Sequence, residues 1–290
     1  MNKADRDAWL GVGASITVGA IVALAGSQGS VAWHGAPLFL LAGLLAYAVQ
    51  WLVFIPSYAA HTEHFFDLTG SCTYVALMAF ALGAGNGDAR SVLLAGLITA
   101  WAVRLGSFLF LRVRRDGSDG RFDVLKHSFP RFLMTWTLQG LWVFLTAAAA
   151  LAAMTDAEST PLGALAWVGL ALWLAGFAIE SRADAQKRAF RRDAGNAGRF
   201  IATGLWAWSR HPNYFGEITL WLGVALIAAE TLSGWRWLTM ISPVFVYVLL
   251  NYVSGVPLLE SRAKRRWGED PEYQAYRART PVLILRPPRR

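Results

Sequence analysis

Hydrophobic residues in this chain occur in long runs, separated by short polar stretches that are rich in Lys and Arg. A helix needs about 20 mostly apolar residues to cross the hydrocarbon core of a bilayer. Eight runs approach that length, and the pattern therefore predicts about eight transmembrane helices: Trp9–Gly26, Ala36–Pro56, Leu68–Gly83, Ser91–Val113, Phe132–Ala153, Leu162–Glu180, Tyr214–Ala229 and Trp237–Pro257. Because the third and seventh runs are short, seven helices is the alternative count.

The composition supports the same architecture. Of the 290 residues, 55% are hydrophobic and only 16% are charged, whereas soluble domains carry about a quarter charged residues. The 14 Trp residues suit a protein with two membrane–water interfaces, where the indole ring is favoured. We therefore predict an all-α fold, a polytopic membrane bundle of about seven or eight transmembrane helices.

The basic residues predict the orientation of this bundle. Most of the 27 Lys and Arg residues lie after the fourth run, after the sixth run and in the tail. The positive-inside rule assigns these segments to the cytoplasm, and eight helices would place both termini there as well. The net charge of +8 is explained by the bilayer as partner, and we expect no nucleic acid and no required protein partner. The single cysteine, Cys72, excludes an intrachain disulfide.

A cationic pattern follows the sixth run. Asp184, Arg188 and Arg191 are spaced i, i+4 and i+7, so they share one face of a predicted helix, and Lys187 flanks them. Guanidinium groups bind phosphate oxygens through two parallel hydrogen bonds, which suits a polyanionic ligand. The alternative is a solvated helix with an Asp184–Arg188 ion pair at the lipid headgroups, and the spacing alone favours it.

Glycines end that predicted helix, and the run WAWSRHPNY follows. Pro212 suits the first turn of a helix, whose N-terminus favours anions. Glu217 would lie just inside the membrane boundary, where a carboxylate needs a partner or a polar cavity. Interfacial anchoring is the alternative for the His and Trp residues. The candidate ligand-binding positions of this segment are Trp206, His211, Asn213, Tyr214, Glu217 and Trp221.

The run SRHPNYFGE, preceded by D-x-x-K-x-x-F-R at Asp184–Arg191, resembles the membrane sterol reductases and the steroid 5-alpha-reductase superfamily. The tail LLESRAKRRWGEDPEYQAYRARTPVLI is similar to the end of the same proteins. R-L-G-x-x-L-F-x-R at Arg104–Arg112 and G-x-D-x-R-F-D at Gly117–Asp123 resemble a bacterial branch with mostly unassigned substrates. The resemblance is strong over Glu180–Leu285 and weak before Leu68.

This resemblance implies an NADPH-dependent reductase of a C=C bond in a steroid-, isoprenoid- or lipid-like substrate, in a bacterial inner membrane. It implies a single membrane domain over residues 1–290. Within it, residues 1–60 form the N-terminal spans, residues 61–180 form the spans on the substrate side, and residues 181–290 form the cofactor-binding segment, the last two spans and the tail. The cytoplasmic loops and tail would form a cofactor cap. The implied cofactor-binding residues are Arg104, Arg115, Asp184, Lys187, Arg188, Arg191, Trp206, His211, Asn213, Tyr214, Glu217, Trp221 and Glu260. Neither common glycine-rich nucleotide motif is present, which agrees with a site built from helix ends and cations.

The catalytic positions depart from this resemblance. Steroid 5-alpha-reductases use a membrane-embedded Gln-Glu pair and a Tyr, but counting back from Arg104 places Phe66 and Asp67 at the pair. Asp67 keeps the acidic character, and Glu63 and His64 are nearby alternatives, since histidine ordinarily transfers protons near neutrality. An ordinary interfacial loop, with Asp67 capping the third helix, is the competing interpretation.

Three further residues are candidates for a substrate pocket. Trp101 occupies the position of the Tyr, while Gln139 and Tyr74 are polar groups at membrane depth. Gln139 could instead bond a neighbouring helix. His61 and His64 have no convincing third ligand, so we expect no metal.

Two other functions remain open. Isoprenylcysteine carboxyl methyltransferases share R-H-P-x-Y and an acidic residue in a similar tail. Their cofactor, S-adenosylmethionine, carries no phosphates, so the cationic pattern favours NADPH over it. The missing Gln-Glu-Tyr set leaves a non-catalytic lipid-binding relative as the third hypothesis.

Overall fold

The computed structural model of the chain describes residues 2–116, 120 and 122–288, and the side chains of residues 112–116 lie outside that description. It is almost entirely helical, which confirms the predicted all-α class. The helices are α1 Lys3–Gly26, α2 Leu38–Ala59, α3 Phe66–Ala84, α4 Ala89–Asp116, α5 Phe129–Met154, α6 Ala164–Arg192, α7 Pro212–Ala229, α8 Ile241–Val248, α9 Val256–Trp267 and α10 Pro271–Arg279. Two short antiparallel strands, β1 Ala32–Trp33 and β2 Ala36–Pro37, form a hairpin between α1 and α2.

Among the described residues, seven helical stretches are long and apolar enough to cross a membrane: Lys3–Gly26, Leu38–Ala59, Phe66–Ala84, Ala89–Leu111, Phe129–Met154, Ala164–Arg192 and Gly234–Trp267. These stretches make the chain an integral membrane protein. The predicted seventh span forms the helix α7, but it is not among the seven. The polar residues Asn213 and Glu217 lie in its first two turns and lower its hydropathy.

The chain divides into two compact units. Unit 1 comprises Met1–Ala166 and Ile227–Ser242, and unit 2 comprises Trp167–Leu226 and Pro243–Arg290. Only the ends of α6 and α7 belong to unit 1, and most of both helices belongs to unit 2. The prediction of one membrane domain, subdivided near residues 60 and 180, stays a prediction.

In unit 1, α5 is the central helix. The membrane-length window of α5 is 83% buried, against 33% to 39% for α1 to α4. Helices α1, α2 and α3 pack directly against α5, and α4 packs mainly against α3. The outer helices therefore leave apolar side chains exposed, among them Leu10, Leu24 and Leu52, as expected for faces that contact lipid.

Hydrogen bonds between helices accompany this packing. The Tyr47 hydroxyl donates to the backbone oxygen of Ser15 at 2.9 Å, joining α2 to α1. The fully buried Gln50 donates through Nε2 to Thr73 Oγ1 at 2.7 Å, joining α2 to α3. Bonds of this kind help membrane helices to associate, because apolar faces alone do not distinguish protein from lipid.

Two buried arginines hold the loops at one end of unit 1. Arg90 pairs with Glu230 at 2.8 Å and also donates to the backbone oxygen of Pro161 at 2.6 Å. Arg236 pairs with Asp156 at 2.7 Å. Both guanidinium groups are nearly inaccessible to solvent. One ion pair thus links the start of α4 to the residue after α7, and the other links the end of α5 to Gly234–Met240.

In unit 2, α6 and α7 approach so closely that glycine is required at the contacts. A Cβ at Gly216 would lie 2.6 Å from both the Gly176 backbone oxygen and the Glu180 backbone nitrogen. A Cβ at Gly223 would lie 2.5 Å from the Gly169 backbone oxygen. Gly216 contacts Gly176, whereas Gly223, further along α7, contacts Gly169, which is earlier in α6. The two helices are therefore antiparallel. Helix α7 therefore runs beside the apolar part of α6.

The last candidate span is irregular. After α8 the backbone continues as a π-helix, Leu249–Val253, and α9 begins only after Gly255. A Cβ at Gly255 would lie 2.9 Å from the Tyr214 ring. Single π turns within helices frequently mark functional sites. Here the break brings the start of α9 against the start of α7.

Candidate functional site

Glu260, on α9, is the centre of an ionic network at the start of α7. Its carboxylate accepts from Arg210 Nη1 at 2.6 Å and from His211 Nε2 at 3.0 Å. Arg277 Nε, on α10, lies 3.7 Å from the same carboxylate. Two guanidinium groups favour the ionised form of the carboxylate, which can only accept hydrogen bonds. We refer to Arg210, His211, Glu260 and Arg277 as the Glu260 network.

His211 is the most deeply buried member of the Glu260 network, with 4% of its surface exposed. Its ring stacks on Tyr214, with 5.6 Å between the centroids and 12° between the planes. Burial lowers the pKa of His211, with smaller contributions from Arg210 and Lys187, while the bond to Glu260 opposes that shift. The ring is therefore neutral at pH 7 and donates its Nε2 proton to Glu260.

The C-terminal tail holds the loop that precedes α7. The backbone nitrogen of Arg210 donates to the Pro281 oxygen at 2.9 Å, and that of Arg286 donates to the Trp208 oxygen at 3.0 Å. Between them, the Ser209 hydroxyl contacts backbone oxygens of the tail. The position of His211 thus depends on a segment about 70 residues further along the chain.

Trp206 connects this loop to α6. Its ring nitrogen donates to the Ala183 backbone oxygen at 3.0 Å, and its own backbone oxygen accepts from the Tyr276 hydroxyl at 2.8 Å. Burial raises the pKa of Tyr276 above its ordinary value, which keeps this donor protonated. The ammonium group of Lys187 lies over the Trp206 ring, 4.4 Å from its centroid. Trp206 therefore fixes one cation of the predicted cationic face.

Helix α6 continues without interruption to Arg192, and the predicted helical spacing of Asp184, Arg188 and Arg191 is confirmed. Arg188 and Arg191 are exposed, whereas Asp184 and Lys187 are half-buried. We call these four residues the cationic face. It lies on the same unit as the Glu260 network.

Three other predicted positions lie on α7, which begins at Pro212 as predicted. Glu217 and Trp221 are buried, with 9% and 0% of their surfaces exposed. Asn213 is half-buried, and its side-chain oxygen has no hydrogen-bond partner among the residues that the structure describes. The same holds for His211 Nδ1. Buried polar atoms without partners are uncommon in native proteins.

The substrate-pocket candidates lie in unit 1. Tyr74 and Trp101 are both buried and pack edge to face, with ring centroids 5.2 Å apart. Gln139 donates to the backbone oxygen of Phe66 at 3.0 Å, which is the interhelical bond considered as its alternative role. Their participation in a pocket stays a prediction.

The three candidate proton donors differ in environment. Glu63 is buried and accepts from Lys126 at 3.0 Å, and this bond raises the pKa of Lys126. The ring of His64 packs edge-on against Phe65 and Phe110. Which of the three supplies a proton stays a prediction.

Asp67 lies in the first turn of α3. The competing interpretation, in which Asp67 caps this helix, is wrong, because α3 begins at Phe66 and the capping position is occupied by Phe65. Its carboxylate still suits the positive end of the helix dipole.

Two arginines of the predicted cofactor set lie outside unit 2. Arg104 is half-buried on α4 in unit 1, and the side chain of Arg115 lies outside the described residues. The sequence interpretation also missed Arg210, Arg277 and Tyr276. Arg210 could have been found, since it directly precedes His211. No sequence pattern near Tyr276 and Arg277 on α10 indicates that they lie at the site.

The family described as "Protein of unknown function (DUF1295)" matches residues 53–280. An uncharacterized protein of Schizosaccharomyces pombe (strain 972) is 28% identical over 195 residues, which is 56% of this chain and 57% of that protein. The chain therefore matches less than two thirds of the length of this relative. The family match includes the cationic face and the whole Glu260 network. Neither description names an activity.

Proposed function

The chain belongs to the DUF1295 family of proteins of unknown function, and we propose that it is an NADPH-dependent reductase of a C=C bond in a hydrophobic substrate. The substrate class is a steroid, an isoprenoid or another lipid. One observation carries this proposal: unit 2 contains both the cationic face of α6, which contacts Trp206, and the Glu260 network at the start of α7, in which His211 is buried.

The residues of unit 2 fit a ligand with both phosphates and uncharged polar groups. Arg188 and Arg191 offer exposed guanidinium groups on one helix face, which suits phosphate oxygens. His211 and Asn213 each present a buried polar atom without a described partner. A nicotinamide dinucleotide phosphate has groups of both kinds. When bound, its reduced nicotinamide supplies a hydride, while the chain binds it, orients it and excludes water.

The substrate would enter from the bilayer, since the outer helices of unit 1 expose apolar side chains to it. Tyr74, Trp101 and Gln139 remain our candidates for the substrate pocket. Asp67, His64 and Glu63 remain our candidates for the proton donor, and Glu63 accepts a hydrogen bond from Lys126.

We extend the proposal to location and topology: an inner-membrane protein of a bacterium with both termini in the cytoplasm. The distribution of Lys and Arg supports this orientation. It requires α7 to cross the membrane as an eighth span. The close antiparallel packing of α7 beside the apolar part of α6 supports that crossing.

The test is a thermal-shift titration of the detergent-purified protein with NADPH. A ligand at 100 times its Kd stabilises the folded state by about 2.7 kcal/mol, which is a rise of a few degrees in Tm. Arg191→Ala should reduce that rise. Arg6→Ala is the matched control, since Arg6 is exposed and belongs to unit 1. An NADPH titration that leaves the Tm of wild type and Arg191→Ala equally unchanged would overturn the proposal.

A methyltransferase using S-adenosylmethionine is the second candidate. The observation that favours it is the Glu260 network itself, whose carboxylate and buried acceptors could bind a ligand without phosphates. Stabilisation by S-adenosylmethionine but not by NADPH, in the same titration, would reverse the ranking. Bound lipid with no response to either cofactor would favour the non-catalytic relative.

A further inference from the structure

The Glu260 network determines which nitrogen of His211 carries the proton. Glu260 Oε2 is engaged by Arg210 at 2.6 Å, and Oε1 lies 3.0 Å from His211 Nε2. Since this ionised carboxylate can only accept, Nε2 must donate to it. In the neutral ring, Nδ1 then carries a lone pair and no proton.

That lone pair lies in a dry environment. His211 is 4% exposed, and Nδ1 has no hydrogen-bond partner within the part of the chain that the structure describes. A buried acceptor without a hydrogen-bond partner destabilises the folded state. A 180° flip of the ring would keep its stacking on Tyr214 but would remove Nε2 from Glu260.

We propose that His211 Nδ1 is a binding site for an uncharged hydrogen-bond donor, an amide N–H or a hydroxyl, on the small molecule that occupies unit 2. The inference rests on the proposed function only in that a ligand binds there. It changes the expectation for the start of α7, because a helix N-terminus alone would favour an anion. A phosphodiester oxygen has no proton to give and would bring a second lone pair against Nδ1.

The two halves of the site therefore have different chemistry. The cationic face of α6 suits phosphate, whereas the His211 ring rejects it and selects a donor. In a nicotinamide dinucleotide the donors are the carboxamide, the ribose hydroxyls and the adenine amine. In S-adenosylmethionine the uncharged donors are the ribose hydroxyls and the adenine amine.

The test is ¹⁵N–¹H NMR of ¹⁵N-histidine-labelled protein in detergent, in which the bonded proton and chemical shift of each ring nitrogen are read directly. The chain has 5 His residues, and the His211 signals are assigned by their loss in His211→Phe or His211→Asn. His34→Asn is the control variant, because His34 is exposed and has a left-handed backbone that Asn tolerates. The probes are NADPH, S-adenosylmethionine, adenosine and inorganic phosphate.

We expect the proton on Nε2 before any addition. Nδ1 should then shift towards the hydrogen-bonded range with at least one of the three organic probes, and remain unchanged with inorganic phosphate. A proton on Nδ1, a shift caused by phosphate, or no shift with any probe would overturn the inference. A shift with S-adenosylmethionine or adenosine but not with NADPH would support the inference and count against the proposed reductase.

A second arm measures affinity and separates the amide from the hydroxyl. His211→Phe keeps a ring but removes the acceptor, so it should weaken the binding of the probe that shifts Nδ1 by about tenfold. His211→Asn should reduce the affinity for that probe by less. If NADPH is that probe, an analogue with an acetyl group in place of the nicotinamide carboxamide removes the amide donor. Loss of the Nδ1 shift with this analogue assigns the amide, and retention of the shift assigns a hydroxyl or the adenine amine. Unchanged affinity in both His211 variants would contradict the inference.

Discussion

Arg90 and Glu230, 140 positions apart in the chain, are joined by a hydrogen bond of 2.8 Å. The side chain of Arg90 is only 1% exposed. The same guanidinium group also donates to the backbone oxygens of Pro161 and Ile227. Glu230 in turn accepts from the backbone nitrogen of Gly163 at 3.1 Å. This arrangement ties the ends of α4 and α7 to the loop before α6.

Arg90→Ala should destabilise the protein by about 3–5 kcal/mol, because it leaves Glu230 without its cationic partner and two backbone oxygens without their donor. The measurement is the Tm in detergent. The control is Arg6→Ala, which removes an exposed ion pair with Asp7, whose Oδ1 lies 3.9 Å from Arg6 Nε. This substitution should change the stability by less than about 1 kcal/mol. Equal effects of the two substitutions would contradict this account of Arg90.

Gly216→Ala should destabilise the protein by about 1–3 kcal/mol, the usual effect of overpacking. Its Cβ would meet backbone atoms of Gly176 and Glu180 at 2.6 Å, so α6 and α7 would have to separate. Gly96→Ala is the matched control on α4, where nothing lies within 4 Å of the added Cβ. Because Ala favours helix more than Gly does, the control should leave the Tm unchanged or raise it.

Acid should weaken the fold through His211. Its pKa is lowered in the folded protein, chiefly by burial, whereas the unfolded chain takes up this proton at about pH 6.5. The contribution to stability is therefore complete above pH 6.5 and is lost as the pH falls below that value towards the folded pKa. The Tm of wild type should fall more steeply between pH 7.5 and 5.5 than that of His211→Phe. Parallel curves for these two proteins, with His34→Asn following wild type, would refute the prediction.

Arg191→Ala should weaken NADPH binding about tenfold or more, since hydrogen bonds to charged groups are worth about 1.5–3 kcal/mol. The difference from wild type should shrink at high salt, because Arg191 is exposed. Titration calorimetry at low and high salt measures both effects. Lys264→Ala, an exposed cation on α9, is the control; an equal loss there would indicate nonspecific attraction.

The topology can be tested by labelling single cysteines with an impermeant maleimide in intact cells. Cys72→Ser provides the background, and the probes are Arg6→Cys, Arg279→Cys and Glu158→Cys, all at exposed positions. With α7 crossing the membrane, positions 6 and 279 should both be protected and position 158 should be labelled. Labelling at only one of positions 6 and 279 would show an odd number of crossings.

Much of the fold could be predicted because transmembrane helices are local. An apolar run must form its backbone hydrogen bonds within itself in lipid, so α2 and α5 are apparent from their residues alone. Helix α7 was harder to classify, because Asn213 and Glu217 make its first turns polar. The helical spacing of Asp184, Arg188 and Arg191 was also local and was predicted correctly.

The site was predictable only in part. The run RHPNY identified His211 and Asn213, and the acidic residue Glu260 was chosen by resemblance. That Glu260 is shared among Arg210, His211 and Arg277 depends on contacts across 49 and 50 positions and on α10, which no local pattern reveals. The alternative role of Asp67 as a cap is excluded because α3 begins two residues earlier than that role requires, and helix ends are the least certain part of a sequence prediction.

By itself, the sequence determined that this chain is helical, membrane-embedded and asymmetric in charge, because apolar length and the positions of Lys and Arg are properties of consecutive residues. Only the tertiary structure decided the protonation of His211. Its Nε2 meets Glu260 and its Nδ1 lies buried without a described partner, and the contact with Glu260 depends on the start of α9 packing against the start of α7. A hydrogen bond depends on distance and direction in space, and residues 49 positions apart acquire neither until the chain has folded.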